Sequence, residues 1–309
     1  MADERARPDA LAPDARAVRR AFARAAATYD GAAVLQKEIG ARMAERLDVV
    51  RLEPRAVLDA GCGTGDALSE LAVRYPKARR VALDLAWPML DVARARSRRA
   101  RSTLDRLLAP LRGRTGALPG FVCGDLAALP FPPVAFDLVW SNATLQWVDD
   151  LPRAIAECHR VLAVGGLFTF TTFGPDTLKE LRAAFAGVDT HPHVSRFADM
   201  HDIGDILVNS GFADPVMQME YMTLTYPDAL AMLRDLKAIG ATNAAQGRAR
   251  GLMGRHRWQR ALAALDASRS GEPQGRVAAT FEVIYGHAWK AAPTRTAEGH
   301  AIVKLERRR

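Results

Sequence analysis

The chain lacks the features that mark an extracellular, membrane-spanning or metal-binding protein. Its 309 residues include three cysteines, Cys62, Cys123 and Cys158. These are too few and too scattered for a disulfide framework or a zinc site, and a reducing cytoplasm suits them. No apolar run approaches the roughly 20 residues needed to cross a bilayer. The opening "MADERARPDALAPDARAVRR" is charged and has no apolar segment of a secretory signal. There is no internal repeat and no low-complexity tract beyond an Arg/Ala bias. Negative charge is in deficit: the formal net charge is +8 and the pI about 9.8. That balance favours acidic partners, although abundant Arg and Ala also follow from base composition alone. The basic residues gather at Arg16–Arg24, Arg94–Arg114, Arg248–Arg260 and the closing "ERRR". As a structural default these are solvated helix faces and a frayed tail.

What is present is an alternation of strand and helix. "AVLDAGCGTGD" reads as strand, Gly-rich turn and helix start; "RRVALDL" is the next strand, and "WPMLDVARARSRRARSTLDRLL" a long helix with Pro88 in its first turn. "FVCGDL" and "FDLVWSN" are strands three and four, "LPRAIAECHRVL" a helix and "GGLFTFTTF" strand five. "GPDTLKELRAAF" opens a further helix with Pro175 near its start and Asp176 as N-cap. Short apolar strands alternating with helices over residues 54–187 predict a Rossmann-like α/β fold, a doubly wound and mostly parallel sheet. A helix-rich stretch from Pro227 to about Ser268 lies between two strands able to pair as a hairpin at the sheet edge. The expected organisation is a disordered tail (1–15), a helical N-terminal cap (16–50), the core (51–226), an inserted helical lid (227–274), a final core strand (275–290) and a basic tail (291–309).

The strongest chemical signal is "LDAGCGTGD". In open α/β sheets, ligands bind beyond the carboxyl ends of the strands, where a Gly-rich turn admits them to the backbone. A dinucleotide site prefers Gly-x-Gly-x-x-Gly; here Gly61, Gly63 and Gly65 alternate, with Asp59 just upstream. An acid in that place repels pyrophosphate and suits an ammonium group. Asp84, ending the second strand, can accept hydrogen bonds from two ribose hydroxyls, and Asp125, after the third, from an adenine amine. A ligand with an amino-acid end, a ribose and an adenine is S-adenosylmethionine.

With "ALDL", "GDLAALPF" and "FDLVWSN", this motif set resembles the class I S-adenosylmethionine-dependent methyltransferases over about Pro54–Phe173. The resemblance implies that Asp59 and the backbone of Gly61–Gly65 hold the methionine end, Asp84 the ribose, and Asp125 with Leu126 the adenine. Asn142 also falls within the cofactor set. "SNATLQWVDD", after strand four, offers no acid or base until Asp149. An amine or hydroxyl acceptor has to lose a proton and calls for a placed base. A carboxylate is already ionised at neutral pH and does not. It needs orientation, which Asn142, Gln146 and Trp147 can supply. The stretch also departs from the Asn-Pro-Pro-aromatic pattern of nucleobase-amine methylation, which speaks against a nucleic-acid substrate.

Outside that core, "RAFARAAATYDGAAVLQ", "HPHVSRF", "LKAIGATNAAQGR" and "ATFEVIYGHAW" are similar to the malonyl-acyl-carrier-protein O-methyltransferases of biotin synthesis, over roughly residues 17–290. That family esterifies the free carboxylate of a malonyl thioester, carried on acyl-carrier protein or coenzyme A, and no metal is expected. The resemblance implies that Tyr29 and Gln36 close over the cofactor, with the Tyr29 phenol also able to reach the acceptor. His193 and Arg196 are the candidates for the malonyl group, and Arg248, Arg250, Arg255 and Arg257 for docking an acidic carrier protein. "FGPDTLKELR", "PHVSRF" and "YGHAW" also resemble methyltransferase-like assembly factors of respiratory NADH dehydrogenase. A methyltransferase for quinone precursors shares only the core motifs.

Overall fold

A computed structural model describes residues 9–100, 118–269 and 275–292. Most of the Arg-rich stretch at 96–120, and most of the basic tail at 291–309, lie outside these residues. Strands β1 (Ala56–Ala60), β2 (Arg79–Asp84), β3 (Gly120–Cys123), β4 (Phe136–Ser141), β5 (Leu162–Phe173), β6 (Phe212–Tyr226) and β7 (Val277–Lys290) form one sheet. Their order is β3-β2-β1-β4-β5-β7-β6. The first five run parallel, and β7 enters antiparallel between β5 and β6. Strand β1 is buried along its whole length, the pattern of a strand covered on both faces. The doubly wound Rossmann-like fold expected from the alternation is the fold observed.

Three leader helices, α1 (Ala15–Ala25), α2 (Tyr29–Ala32) and α3 (Val34–Glu45), break at the "YDG" stretch as the sequence indicates. Helix α3 buries Leu35, Ile39 and Met43 on one face of the sheet, against Leu138, Trp140 and Phe281. Helices α4 (Ala67–Arg74) and α5 (Trp87–Ala100) follow β1 and β2; α6 (Leu151–Val161), α7 (Lys179–Ala186) and α8 (Met200–Asn209) follow in turn. The opposite face packs Ile155 and Cys158 of α6 and Ile203 and Leu207 of α8 on Phe136, Phe168 and Phe170. Helices α9 (Ala229–Ala238) and α10 (Arg255–Ala267) stand between β6 and β7. Tyr226 and Val277, the flanking strand residues, are register partners. No described helix is long and apolar enough to cross a membrane.

Two local expectations are corrected. Residues 9–14, expected within a disordered tail, run as a strap against residues 244–247: Asp14 N–H donates to the Ala244 carbonyl at 2.7 Å, and Gln246 and Gly247 donate to Ala12 and Ala10 at 2.8 Å each. The strap persists because its backbone groups are paired. Asp14 then caps α1, accepting from Arg16 and Ala17 N–H. Helix α7 is not capped by Asp176. It starts at Lys179 behind Leu178, whose φ is +55°, while the Asp176 N–H donates to the Glu282 carboxylate at 2.8 Å. The Asp176 carboxylate, the group a cap would use, accepts instead from the Tyr221 hydroxyl at 3.0 Å.

Gly286 on β7 lies opposite Phe170 on β5, and a Cβ there would come within 2.2 Å of the Phe170 ring. Gly286→Ala is expected to lose about 1–3 kcal/mol by overpacking. A drop in the urea midpoint at unchanged slope would register it; a wild-type midpoint would mean the ring moves aside freely.

Candidate active site

The strand order reverses between β1 and β4, so their carboxyl ends splay apart and leave a crevice. Asp59 of β1 pairs in register with Trp140 of β4 at its mouth. The chain leaves β1 through a turn with φ of +83°, +51° and +78° at Gly61, Gly63 and Gly65. Glycine is the residue that adopts those angles without strain. The turn is pinned to β2 by Gly61 and Cys62 N–H donating to the Leu83 carbonyl at 2.7 and 2.9 Å.

Asp59 is 2 % exposed, and its Oδ2 has no hydrogen-bond partner among the described residues. Burial, reinforced by the charges of Asp84 and Asp66, pushes its carboxyl up to about 8. Asp84 behaves differently. Burial raises it to about 6, while N–H groups of Ala86 and Gly63 pull it back; they donate to its two oxygens at 2.8 and 2.9 Å. Both carboxylates therefore face a site short of positive charge. A buried acceptor with no partner is costly unless a ligand supplies one, and an ammonium group is the matching ligand end. Asp125 is exposed, its Oδ1 accepting from Ala127 N–H at 2.9 Å beside the buried Leu126. The donor set fits S-adenosylmethionine.

Two cavities meet at this crevice. One of about 280 Å³ is lined by Asp84, Asp125, Leu126, Val18, Phe22 and Trp147. The other, of about 360 Å³, takes in Asp59, Gly63, Gln36, Lys37 and Thr64. Both include Tyr29, Gly61 and Asn142. A third, of about 70 Å³, continues from Tyr29, Gln36, Gln146 and Trp147 toward Phe173, His193, Asn243 and Phe281. Tyr29 lines all three; burial first, then the nearby Asp84, raises its phenol far above the ordinary range, so it stays neutral.

The stretch after β4 is held by its own amides. Asn142 Nδ2 donates to the Gln36 carbonyl at 2.8 Å, and its Oδ1 accepts from Thr171 Oγ1 at 2.6 Å. Gln146 Nε2 donates to the Ala143 carbonyl at 2.7 Å, and its Oε1 accepts from Thr172 Oγ1 at 3.3 Å. Ala143 has a φ of +49°. Trp147 meets Phe22 edge to face at 5.3 Å. Three predicted site residues thus stand together, two of them as scaffold whose polar atoms are already engaged.

The other sequence candidates are spread over several cavities and faces. His193 lines the third cavity, its Nε2 2.8 Å from Asp189 Oδ1 and its ring stacked on Phe185 at 4.1 Å. That hydrogen bond holds the Asp189 carboxyl below its usual range. Arg196 does not line this cavity but joins His193 and Gln146 along a neighbouring one of about 700 Å³. Its side chain is exposed, and Nη1 sits 3.7 Å from Asp9 on the strap. Arg248 pairs with Asp14 at 3.1 Å and stands with Arg250 beside α1, whereas Arg255 and Arg257 open helix α10. His191, His193 and His201 each have a different neighbour, so they do not converge: the Gly247 carbonyl, Asp189 and Asp199.

A connection not foreseen from the sequence ties the leader to the glycine turn. Thr64 Oγ1 donates to Asp30 Oδ1 at 2.6 Å, and Arg96 bridges Asp30 and Asp66. Asp30 follows Tyr29 directly, so this link fixes the ring that covers Gly63. Nothing local in "YDG" signals it, because its partners lie 34 and 66 residues away. Asn243 was also missed: its Nδ2 donates to the Pro192 carbonyl at 2.6 Å, holding the His193 loop to the inserted segment.

A family model described as a methyltransferase domain matches residues 58–170. The chain is 51% identical over 291 residues to the malonyl-[acyl-carrier protein] O-methyltransferase of Gallionella capsiferriformans, covering 94% of this chain and 96% of that protein. It is 52% identical over 284 residues to the protein of the same name from Laribacter hongkongensis, covering 92% of each. Among solved structures, the YcgJ protein of Bacillus subtilis superposes with a TM-score of 0.54 at 14% identity, over 82% of this chain and 99% of that one. That likeness bears on the fold alone.

Proposed function

Because the chain belongs to the malonyl-[acyl-carrier protein] O-methyltransferase family, we propose that it esterifies the free carboxylate of a malonyl thioester on an acyl-carrier protein, in the cytoplasm, using S-adenosylmethionine. The methyl ester so formed enters biotin synthesis. The observation that carries this reading is the third cavity, which reaches the cofactor crevice at Tyr29 and offers no carboxylate or lysine among its lining side chains. Its one imidazole, His193, already spends a ring nitrogen on Asp189. A carboxylate acceptor requires no proton removal, and such a lining suits it.

When bound, S-adenosylmethionine supplies the electrophilic methyl group. The rest falls to the chain. Asp59 receives the ammonium end in the crevice and Asp84 the ribose hydroxyls, with Asp125 and Leu126 at the adenine edge. Tyr29, Phe22 and Trp147 wall the junction of the cavities and exclude water, and an aromatic face there favours a sulfonium charge. Asn142 and Gln146 hold the turn that forms the floor. His193 takes the malonyl carboxylate as a hydrogen-bonding partner, which raises the local concentration of correctly placed acceptor.

A base and an orienting group separate in kinetics. His193→Gln is expected to raise KM for the malonyl thioester about tenfold, to leave kcat within a few-fold and to keep the shape of the kcat–pH profile. A fall in kcat of about a hundredfold, with loss of one limb of that profile, would make the imidazole a general base and defeat the base-free reading. The reaction itself is tested with malonyl-loaded carrier protein and methyl-labelled S-adenosylmethionine, where base-labile label on the malonyl group is expected.

A further inference from the structure

We propose that the carrier protein docks on a composite face built by helix α1 and the tip of the inserted segment, centred on Arg16, Arg20, Arg248 and Arg250. This deepens the malonyl-thioester reading and rests on it. These four arginines, with Asp14 and Ala249, line an open groove of about 610 Å³. Helix α1 turns Val18, Ala21 and Ala25 inward and leaves Arg16 and Arg20 exposed. Elsewhere the arginines that hold the fold are paired, as Arg42, Arg74, Arg96 and Arg160 are. In the groove Arg248 alone has an ion-pair partner, Asp14, among the described residues. Charge left uncompensated on one face attracts a partner of opposite sign and guides its approach. Two residues beyond Arg250 in the chain, Leu252 is fully exposed and offers an apolar anchor.

Position selects the occupant. The segment that carries Arg248 and Arg250 also supplies Ala241, Thr242 and Asn243 to the acceptor cavity. The five Cα-to-Cα steps from Asn243 to Arg248 span at most about 18 Å. A carrier seated on the groove therefore holds its pantetheine arm within reach of the acceptor cavity. Acyl-carrier proteins are acidic, and the arm's phosphodiester adds a further negative charge at the point of contact. Arg255 and Arg257, at the start of α10, are not part of the groove.

The test compares malonyl-carrier protein with malonyl-pantetheine, which has no protein to dock. The R16E/R20E/R250E variant is expected to raise KM for the carrier substrate about tenfold or more and to leave turnover of malonyl-pantetheine unchanged. K77E, one reversed charge just before β2, is expected to leave both substrates within about twofold, since isolated exposed charges contribute little. Added salt should raise the wild-type KM for the carrier substrate and not for the pantetheine substrate. An unchanged carrier KM in the triple variant, or equal losses with both substrates, would overturn the docking face. If wild-type protein methylated neither thioester, the proposed reaction would fall instead. Calorimetric binding of carrier protein to wild type and triple variant would then judge the groove by itself, with wild-type affinity in the variant counting against it.

Discussion

Asp59→Asn is expected to weaken S-adenosylmethionine binding by on the order of a hundredfold, about 3 kcal/mol, while making the ligand-free protein more stable. The two effects share one cause. The Asp59 carboxylate is buried with an unpartnered oxygen, and burial raises its carboxyl to about 8. An ammonium group placed there without a counter-charge incurs the penalty of a broken buried pair. The sign for stability follows from linkage. A carboxyl that ionises near 3.8 when unfolded and near 8 when folded adds stability below pH 4, and that stability drains away as pH rises toward 8. The asparagine variant lacks this drain, so its unfolding midpoint should exceed that of wild type most clearly near pH 8.

A second readout isolates the charge. At pH 7 Asp59 is mostly protonated in the free protein, so binding of a cationic amino-acid end should release close to one proton. Titration calorimetry in buffers of different ionisation enthalpy measures that proton, and in Asp59→Asn the release should vanish. Wild-type affinity in the variant, or unchanged proton release, would remove Asp59 from the site.

Gly61→Ala is expected to be comparably severe for a steric reason. Gly61 has a φ of +83°, and a Cβ there would fall 2.2 Å from Thr144 Oγ1 and 2.7 Å from Thr144 Cβ. Thr144 cannot yield without loss, because its Oγ1 bonds the carbonyls of Asn142 and Gly61 at 3.0 and 3.3 Å. Strained backbone costs about 1–3 kcal/mol and overpacking a similar amount, so cofactor affinity should fall about a hundredfold with a lower unfolding midpoint. The double variant Gly61→Ala/Thr144→Gly removes the clash but keeps the positive φ. It should recover about half of the loss in free energy. Complete recovery would assign the whole effect to Thr144; no recovery would assign it to backbone strain.

The strand-end geometry of the candidate cofactor site was legible because its elements are local. A strand, a turn of alternating glycines and acids at the ends of successive strands are fixed by short-range geometry, and the parallel sheet brings Asp59 and Asp84 to one edge. The acceptor half depends on contacts between distant segments. Arg196 shares a cavity of about 700 Å³ with His193 but not the third one, and its Nη1 lies 3.7 Å from Asp9, in a strap that the charged, Pro-containing start gave no reason to expect. Asp176 looked like a helix cap, but its carboxylate accepts from the Tyr221 hydroxyl, 45 residues away. The four lid arginines formed one cluster in sequence, but Arg248 and Arg250 join helix α1 and the other two do not. Long-range partners redirected each of these side chains.

The rung that joins Tyr226 to Val277 closes the sheet at the base of the helical insert, whose Met232, Leu236, Ala261 and Leu265 pack into the core. Its two ends leave the sheet side by side, so loops within the insert can change length without shifting the pairing of β6 with β7. A change of length there would alter the segment that lines the third cavity and leave the crevice between β1 and β4 in place.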